Sequence, residues 1–342
     1  MASIVTLSAA GVLPDAPEPA APRWRRAIPI VLVYTVALAL AVAVLSYGNP
    51  APVGSSGFWV IVQSRFASLG TNALLAVCQS VATVLFHTAT SNRILTPSIL
   101  GFDALYVLTQ TALVFVFGTA ASGMEGIPKI LAQSGLMVLF ATALYGWLFS
   151  GKHANLHLLL LVGVVLGIGF GSVSTFMQRM LTPSEFDVLS ARLFGSIGKG
   201  NVEYLPVAAT IAVGILLFVW AKRRTYDVVA LGRDAAVSLG VHYRREIVTI
   251  LVLVAVLVSV SVTMVGPMTF YGFLVATLAY QFARNDTHAE VLPHAIGIGL
   301  VTLIGATSIL KHVFSAGGLV TVIIEFIGGL LFLIVLLRKG LR

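Results

Sequence analysis

Polar and apolar positions along this chain separate into long blocks instead of alternating. Apolar runs fall at 28–47, 66–88, 98–118, 128–149, 156–177, 203–221, 246–265, 270–283, 292–311 and 319–337. All but the eighth have the length, about 20 residues, that a helix needs to cross a hydrocarbon core of roughly 30 Å. The eighth is short and follows Gly266-Pro267, so it reads as a short helix packed inside the protein. A transmembrane barrel would instead show alternating segments of about ten residues. The pattern predicts an all-α membrane protein of about ten transmembrane helices.

Composition agrees with that picture. Of 342 residues, 58% are hydrophobic and only 10% charged, with a mean hydropathy of +0.98. A soluble domain carries roughly a quarter charged residues because its surface faces water. The single cysteine, Cys78, lies inside an apolar run, which excludes a disulfide framework or a cysteine metal site. The net charge of +8 raises the question of nucleic acid, but the cations sort by side of the membrane. With the N-terminus inside, only Arg65, Lys129, Arg179, Arg192, Lys199 and Lys311 fall outside, and the rest of the 21 Lys and Arg are cytoplasmic. That bias is the positive-inside rule; it predicts both termini in the cytoplasm and no role for nucleic acid. Residues 1–27 read as a cytoplasmic tail, since their basic residues directly precede the first apolar run without a cleavage pattern.

Two connections are longer than the rest: an external one at about 178–202 and an internal one at about 222–245. Long ordered loops tend to carry function. The internal loop begins with Lys222-Arg223-Arg224 and ends with Arg244-Arg245. Between them Asp227 reads as an N-cap, and Val228, Leu231, Ala235 and Leu239 form an apolar stripe. Gly232 divides the segment into two short helices and Gly240 terminates it. An amphipathic pair of this kind lies on lipid headgroups or inserts into a groove on a cytoplasmic protein.

Other patterns are weaker. Asn72 and Gln79 share a face of the second helix, continued by Thr83. Gly163, Gly167 and Gly171 form a Gly-x-x-x-Gly-x-x-x-Gly stripe on the fifth, a spacing that lets backbones approach closely. Glu325 is an acid deep in the last run, where Lys311 or His312 could neutralise it. His153 and His157 are the only histidines at i, i+4 spacing and lack a carboxylate companion; no metal site is predicted. No Gly-x-Ser-x-Gly or His-Glu-x-x-His motif appears. Gly195-Ser-Ile-Gly198-Lys199-Gly200 has the wrong spacing for a phosphate loop and falls on the external side.

Several fragments resemble a known family. Ala230-Leu-Gly232 followed by Ser238-Leu-Gly240-Val241 is similar to the coupling segment of the type II ABC importer permeases for siderophores, haem and cobalamin. Asn92-Arg-Ile-Leu-Thr-Pro97-Ser-Ile-Leu-Gly101, Leu193-Phe-Gly195-Ser196 and Gly266-Pro267-Met-Thr-Phe270 resemble further family elements, in the same order. The likeness runs over nearly the whole chain from about residue 58. Departures after Phe270 and before the last helix resemble the second of two non-identical permeases of an iron–siderophore system.

The resemblance implies a permease domain over 28–342 with its coupling segment at 222–245, comprising Asp227, Val228, Leu231, Gly232, Arg233, Ala235, Leu239 and Gly240. It implies a heterodimer with a sister permease in the bacterial inner membrane, two copies of a cytoplasmic ATPase and an extracytoplasmic siderophore-binding protein. ATP and Mg would reside on the ATPase, with no cofactor on this chain. It assigns Arg65 and Lys311 to docking of the binding protein; for either, a snorkelling interface anchor is the plainer reading. It places Asn72, Gln79, Thr83, Gly163, Gly167 and Gly171 along the translocation path. Plain interhelical hydrogen bonding or packing competes with that role at each.

Overall fold

The apolar blocks fold as helices because, in lipid, a helix satisfies every backbone group within its own segment. The computed structural model describes residues 23–47, 51–52, 54–123, 126–150, 156–193, 202–313 and 320–340. Its helices are α1 Arg23–Ser46, α2 Ser56–Thr90, α3 Phe102–Phe117, α4 Ile127–Ser150, α5 Leu156–Gln178, α6 Pro183–Leu193, α7 Leu205–Ala230, α8 Arg233–Ser238, α9 Tyr243–Val265, α10 Tyr271–Phe282, α11 His288–Val313 and α12 Val320–Gly340. Among the described residues, nine helices are long and apolar enough to span a membrane.

The eighth apolar run is α10, which is not among those nine. Its 12 residues extend only about 18 Å at 1.5 Å per residue, short of the bilayer core. Tyr271, Phe273, Val275 and Ala276 are buried on it, between α2, α11 and α12. Gly266, at φ +93°, ends α9 and turns the chain back into the protein. The short run is the inward-packed helix that its length predicts.

α2 is the axis of the fold. It starts ten residues before the apolar run that announced it, with the Ser55 hydroxyl accepting from Phe58 N at 3.2 Å. From Leu74 to Ala89 nearly every side chain is buried, enclosed by α7, α9, α10 and α11. A helix apolar all round belongs in such a position. α4 packs on α9, α1 lies outside α11, and α3 pairs with α5.

Two sequence expectations need correction here. The tail assigned to 1–27 is already helical from Arg23, and residues 1–22 lie outside the described residues. The internal loop assigned to 222–245 is mostly helix, because no glycine or proline interrupts the chain before Gly232 and α7 runs on to Ala230. Its basic run sits on that extension: Lys222 Nζ pairs with Glu246 of α9 at 2.7 Å, and the Arg223 guanidinium stacks 4.8 Å from the Trp220 ring. These long side chains lie along the helix and keep their charge at the interface.

Candidate functional site

At the C-terminal end of α7 the chain turns at Gly232, whose φ of +96° is a conformation open to glycine and costly for other residues. α8 follows, six residues long. Its end is a Schellman motif: Gly240 N–H donates to Val237 O at 3.0 Å and Val241 N–H to Ala236 O at 2.9 Å. Ala236 is buried, whereas Leu231, Val237 and Leu239 are 66%, 56% and 63% exposed. Val228 and Ala235 are half-buried and Arg233 is exposed. The predicted stripe is therefore shifted: its outward edge is Leu231, Val237 and Leu239. Val237 escaped the sequence reading because the extra residue at Gly232 breaks the helical phase.

Asp227 does not cap the coupling segment. It lies within α7 and reaches across to α11, where its Oδ1 accepts from His288 N at 2.7 Å and faces His288 Nδ1 at 2.6 Å. His288 Nε2 in turn meets Thr88 Oγ1 of α2 at 2.8 Å. Beside this chain of contacts is a cavity of about 510 Å³, bounded by Thr88, Arg93, Asp227, Tyr280, Asp286 and His288. Arg93 stacks on Tyr280 at 4.2 Å and pairs with Asp286 at 2.6 Å. Sequence reasoning missed Thr88 and His288, whose spacing from Asp227 along the chain carries no signal.

Of the two residues expected to meet a binding protein, Arg65 and Lys311, only Arg65 has a described side chain. Arg65 is 5% exposed, and its Nη1 donates to the carbonyls of Val44, Leu45 and Tyr47 at 2.9, 3.3 and 2.7 Å. These are the unsatisfied carbonyls at the end of α1, where a cation is also favoured by the helix dipole. Arg65 thus closes α1 and does not present its guanidinium to a docking partner. Lys311 is in the last turn of α11, with its side chain outside the described residues. Glu325 accepts from the backbone N–H of Phe270 at 3.2 Å; the side chains of Lys311 and His312, expected to meet it, lie outside the described residues.

The residues assigned to the path divide. Asn72 Nδ2 donates to Thr307 Oγ1 of α11 at 3.3 Å, and Gln79 Nε2 to Ser261 Oγ of α9 at 2.9 Å. Thr83 is fully buried against Gly272 of α10, where any Cβ would run into its hydroxyl. Asn72 and Gln79 thus hydrogen-bond α2 to its neighbours, and Thr83 meets α10 by packing. Gly163 and Gly167 seat the turn Pro97–Leu100 and Gly101: a Cβ on Gly163 would lie 2.9 Å from Leu100 Cα, and one on Gly167 3.3 Å from Gly101 Cα. Gly171 has no atom within 4 Å of its Cβ position and opens on a groove with Ser172, Thr175 and Arg179. His153 and Gly195–Gly200 fall outside the described residues. Among the described residues no three His, Cys, Asp or Glu side chains are grouped to hold a metal ion.

A model of the FecCD transport family matches residues 29–338. The chain belongs to the FecCD transport family. Its relatives include the petrobactin import system permease protein FatC of Bacillus anthracis, 45% identical over 313 residues, 91% of this chain and 88% of that one. The petrobactin import system permease protein YclO of Bacillus subtilis is 35% identical over 260 residues, 76% of this chain and 82% of its own. A solved inward-facing metal-chelate type ABC transporter superposes with a TM-score of 0.77 over 92% of this chain and 99% of that one. At 18% identity that match shows the fold, a type II importer permease architecture. This FecCD permease is accordingly a multi-pass membrane protein, and B. anthracis has a second petrobactin permease among its relatives, FatD, 29% identical over 52% of this chain.

Proposed function

We propose that this chain is the permease subunit of an ATP-driven importer that carries iron(III)–siderophore complexes, of the petrobactin type, across the bacterial cytoplasmic membrane. It works beside a sister permease, with two copies of an ATPase below and a siderophore-binding protein outside. Both termini face the cytoplasm. Hemin and vitamin B12 permeases are also relatives, but at 26% and 28% identity over little more than half of this chain; the petrobactin relatives support a siderophore cargo.

The observation that carries the reading is the outward edge of α8. Three large apolar side chains, Val237 on α8 and Leu231 and Leu239 flanking it, are more than half exposed, on a segment held by local hydrogen bonds. Exposed apolar clusters of this kind mark a surface for a partner, and the ATPase is the partner an importer requires. Iron arrives inside its chelate, so the cargo brings its own metal ligands.

The test is co-purification of the complex expressed from its operon, with wild type against Leu231→Asp/Leu239→Asp. The reading expects wild type to bring down an ATPase and a second permease, and the double variant to lose only the ATPase. If the variant keeps the ATPase, α8 lies on lipid; if wild type recovers none, the importer assignment fails.

A further inference from the structure

The cytoplasmic extension of α7 ends in a clamp that joins three helices. Asp227 Oδ1 takes the backbone N–H of His288 and stands 2.6 Å from its Nδ1. A carboxylate only accepts, so Nδ1 carries a proton and donates it. The opposite ring nitrogen, Nε2, faces the Thr88 hydroxyl at 2.8 Å, and that hydroxyl also contacts Val84 O at 3.1 Å. The His288 side chain is almost wholly buried, whereas the Asp227 side chain is partly exposed. Asp227 therefore does for α11 what an N-cap side chain does for its own helix, satisfying a free N–H at the first turn.

We propose that Asp227, His288 and Thr88 form the transmission element of the permease, passing displacement of α8 into the first turn of α11 and the last turns of α2. The inference rests on ATPase docking at α8 as proposed above. The two-residue link from α7 to α8 is held at both ends: Leu231 N–H donates to Val228 O and Gly232 N–H to Val229 O, and Ala236 N–H of α8 donates back to Gly232 O, so Asp227 moves with α8. α11 then follows, or its first turn loses its cap; these are two discrete arrangements of the sort that switching elements need. The cavity of about 510 Å³ beside the clamp gives the carboxylate and ring room to change places, which a close-packed interior would deny. On the other flank, Lys222 and Glu246 tie the same stretch of α7 to α9. All three are positioning residues: none is assigned to cargo or nucleotide.

The experiment uses the whole assembly in vesicles with iron-labelled ferric petrobactin, comparing wild type with Asp227→Ala, Asp227→Glu and Thr88→Val. It reads ATPase retention, ATP hydrolysis and iron imported per ATP consumed. ATPase retention and hydrolysis should persist in all variants. Iron imported per ATP should fall about tenfold, within the usual range of a coupling free energy, in Asp227→Ala and Thr88→Val. Asp227→Glu, which keeps the carboxylate, should recover part of it. Thr88→Val removes one hydroxyl and preserves shape, so it carries the test if Asp227→Ala does not fold. Unchanged iron per ATP in the variants that assemble overturns the proposal. Loss of the ATPase from Asp227→Ala also overturns it, because Asp227 would then act on docking. Failure of the docking reading shows separately, as an ATPase retained by Leu231→Asp/Leu239→Asp in the same preparation.

Discussion

Gly163→Ala should be the most damaging single methyl on α5. Its Cβ would lie 2.9 Å from Leu100 Cα, 3.2 Å from Leu100 Cδ2 and 3.4 Å from Ile99 O, whereas carbon atoms rest about 3.5–4.0 Å apart. Two of those three neighbours are backbone, so no rotamer change relieves the contact; α5 and the turn at 97–101 must separate. Overpacking of this kind costs about 1–3 kcal/mol. Against it stands the advantage of alanine over glycine within a helix, about 0.5–1 kcal/mol. Gly171→Ala supplies the control, since nothing lies within 4 Å of its Cβ position and it receives the advantage alone. The two variants should therefore differ by about the overpacking cost, several degrees in thermal midpoint at roughly 2–4 °C per kcal/mol. Thermal unfolding of each purified variant in detergent, followed by tryptophan fluorescence, measures the gap. Equal midpoints would refute the close seat of the Pro97–Gly101 turn on α5. If Gly171→Ala keeps its stability yet loses import, the exposed face of α5 belongs to the path or to the sister permease.

Arg65→Ala should remove the donor that the carbonyls of Val44, Leu45 and Tyr47 share at the end of α1, a loss of about 1–3 kcal/mol visible in thermal unfolding. A stable variant that had lost only affinity for the binding protein would restore the docking role. At the start of α6, Glu185 accepts from Thr182 N and Thr182 Oγ1, each at 2.8 Å. These bonds, the backbone one first, hold its carboxyl below the usual carboxylate range. Because the folded value is the lower one, the contribution to α6 is complete above the ordinary carboxylate range and is lost as pH falls through the depressed value. Hydrogen exchange in the first turn of α6, corrected for intrinsic rates, should quicken on acidification in wild type and show no such step in Glu185→Gln.

Much of the fold was legible because bilayer thickness imposes a length on every spanning helix. The runs marked the spans, and Gly266-Pro267 with a 14-residue run marked the inward-packed α10. The illegible parts are those where polar residues continue a helix. Lys222-Arg223-Arg224 reads as the end of a span, yet nothing there breaks a helix and α7 carries on to Ala230. The first ten residues of α2 were hidden the same way by Ser55, Ser56 and Gln63. At the site, Gly232 and Gly240 announced α8, but Asp227 was taken for a local cap because its true partner lies 61 residues away. Arg65 was misread for a similar reason: its acceptors are backbone carbonyls of another helix, and backbone atoms leave no trace in side-chain patterns. Thr182-Pro-Ser-Glu185 carried a readable signal, the spacing of a capping box, of which the structure shows the return bond from Thr182 N–H to the Glu185 carboxylate.

α8 is bounded by two glycines in left-handed conformation, Gly232 and Gly240, its closing hydrogen bonds are local, and only Ala236 of its six residues is buried. The membrane core therefore places almost no demand on the identity of the others. This short stretch can be rewritten while the helices packed in the core keep their sequence. Under the docking proposed for α8, partner choice and cargo passage become separable traits, carried by different parts of one chain.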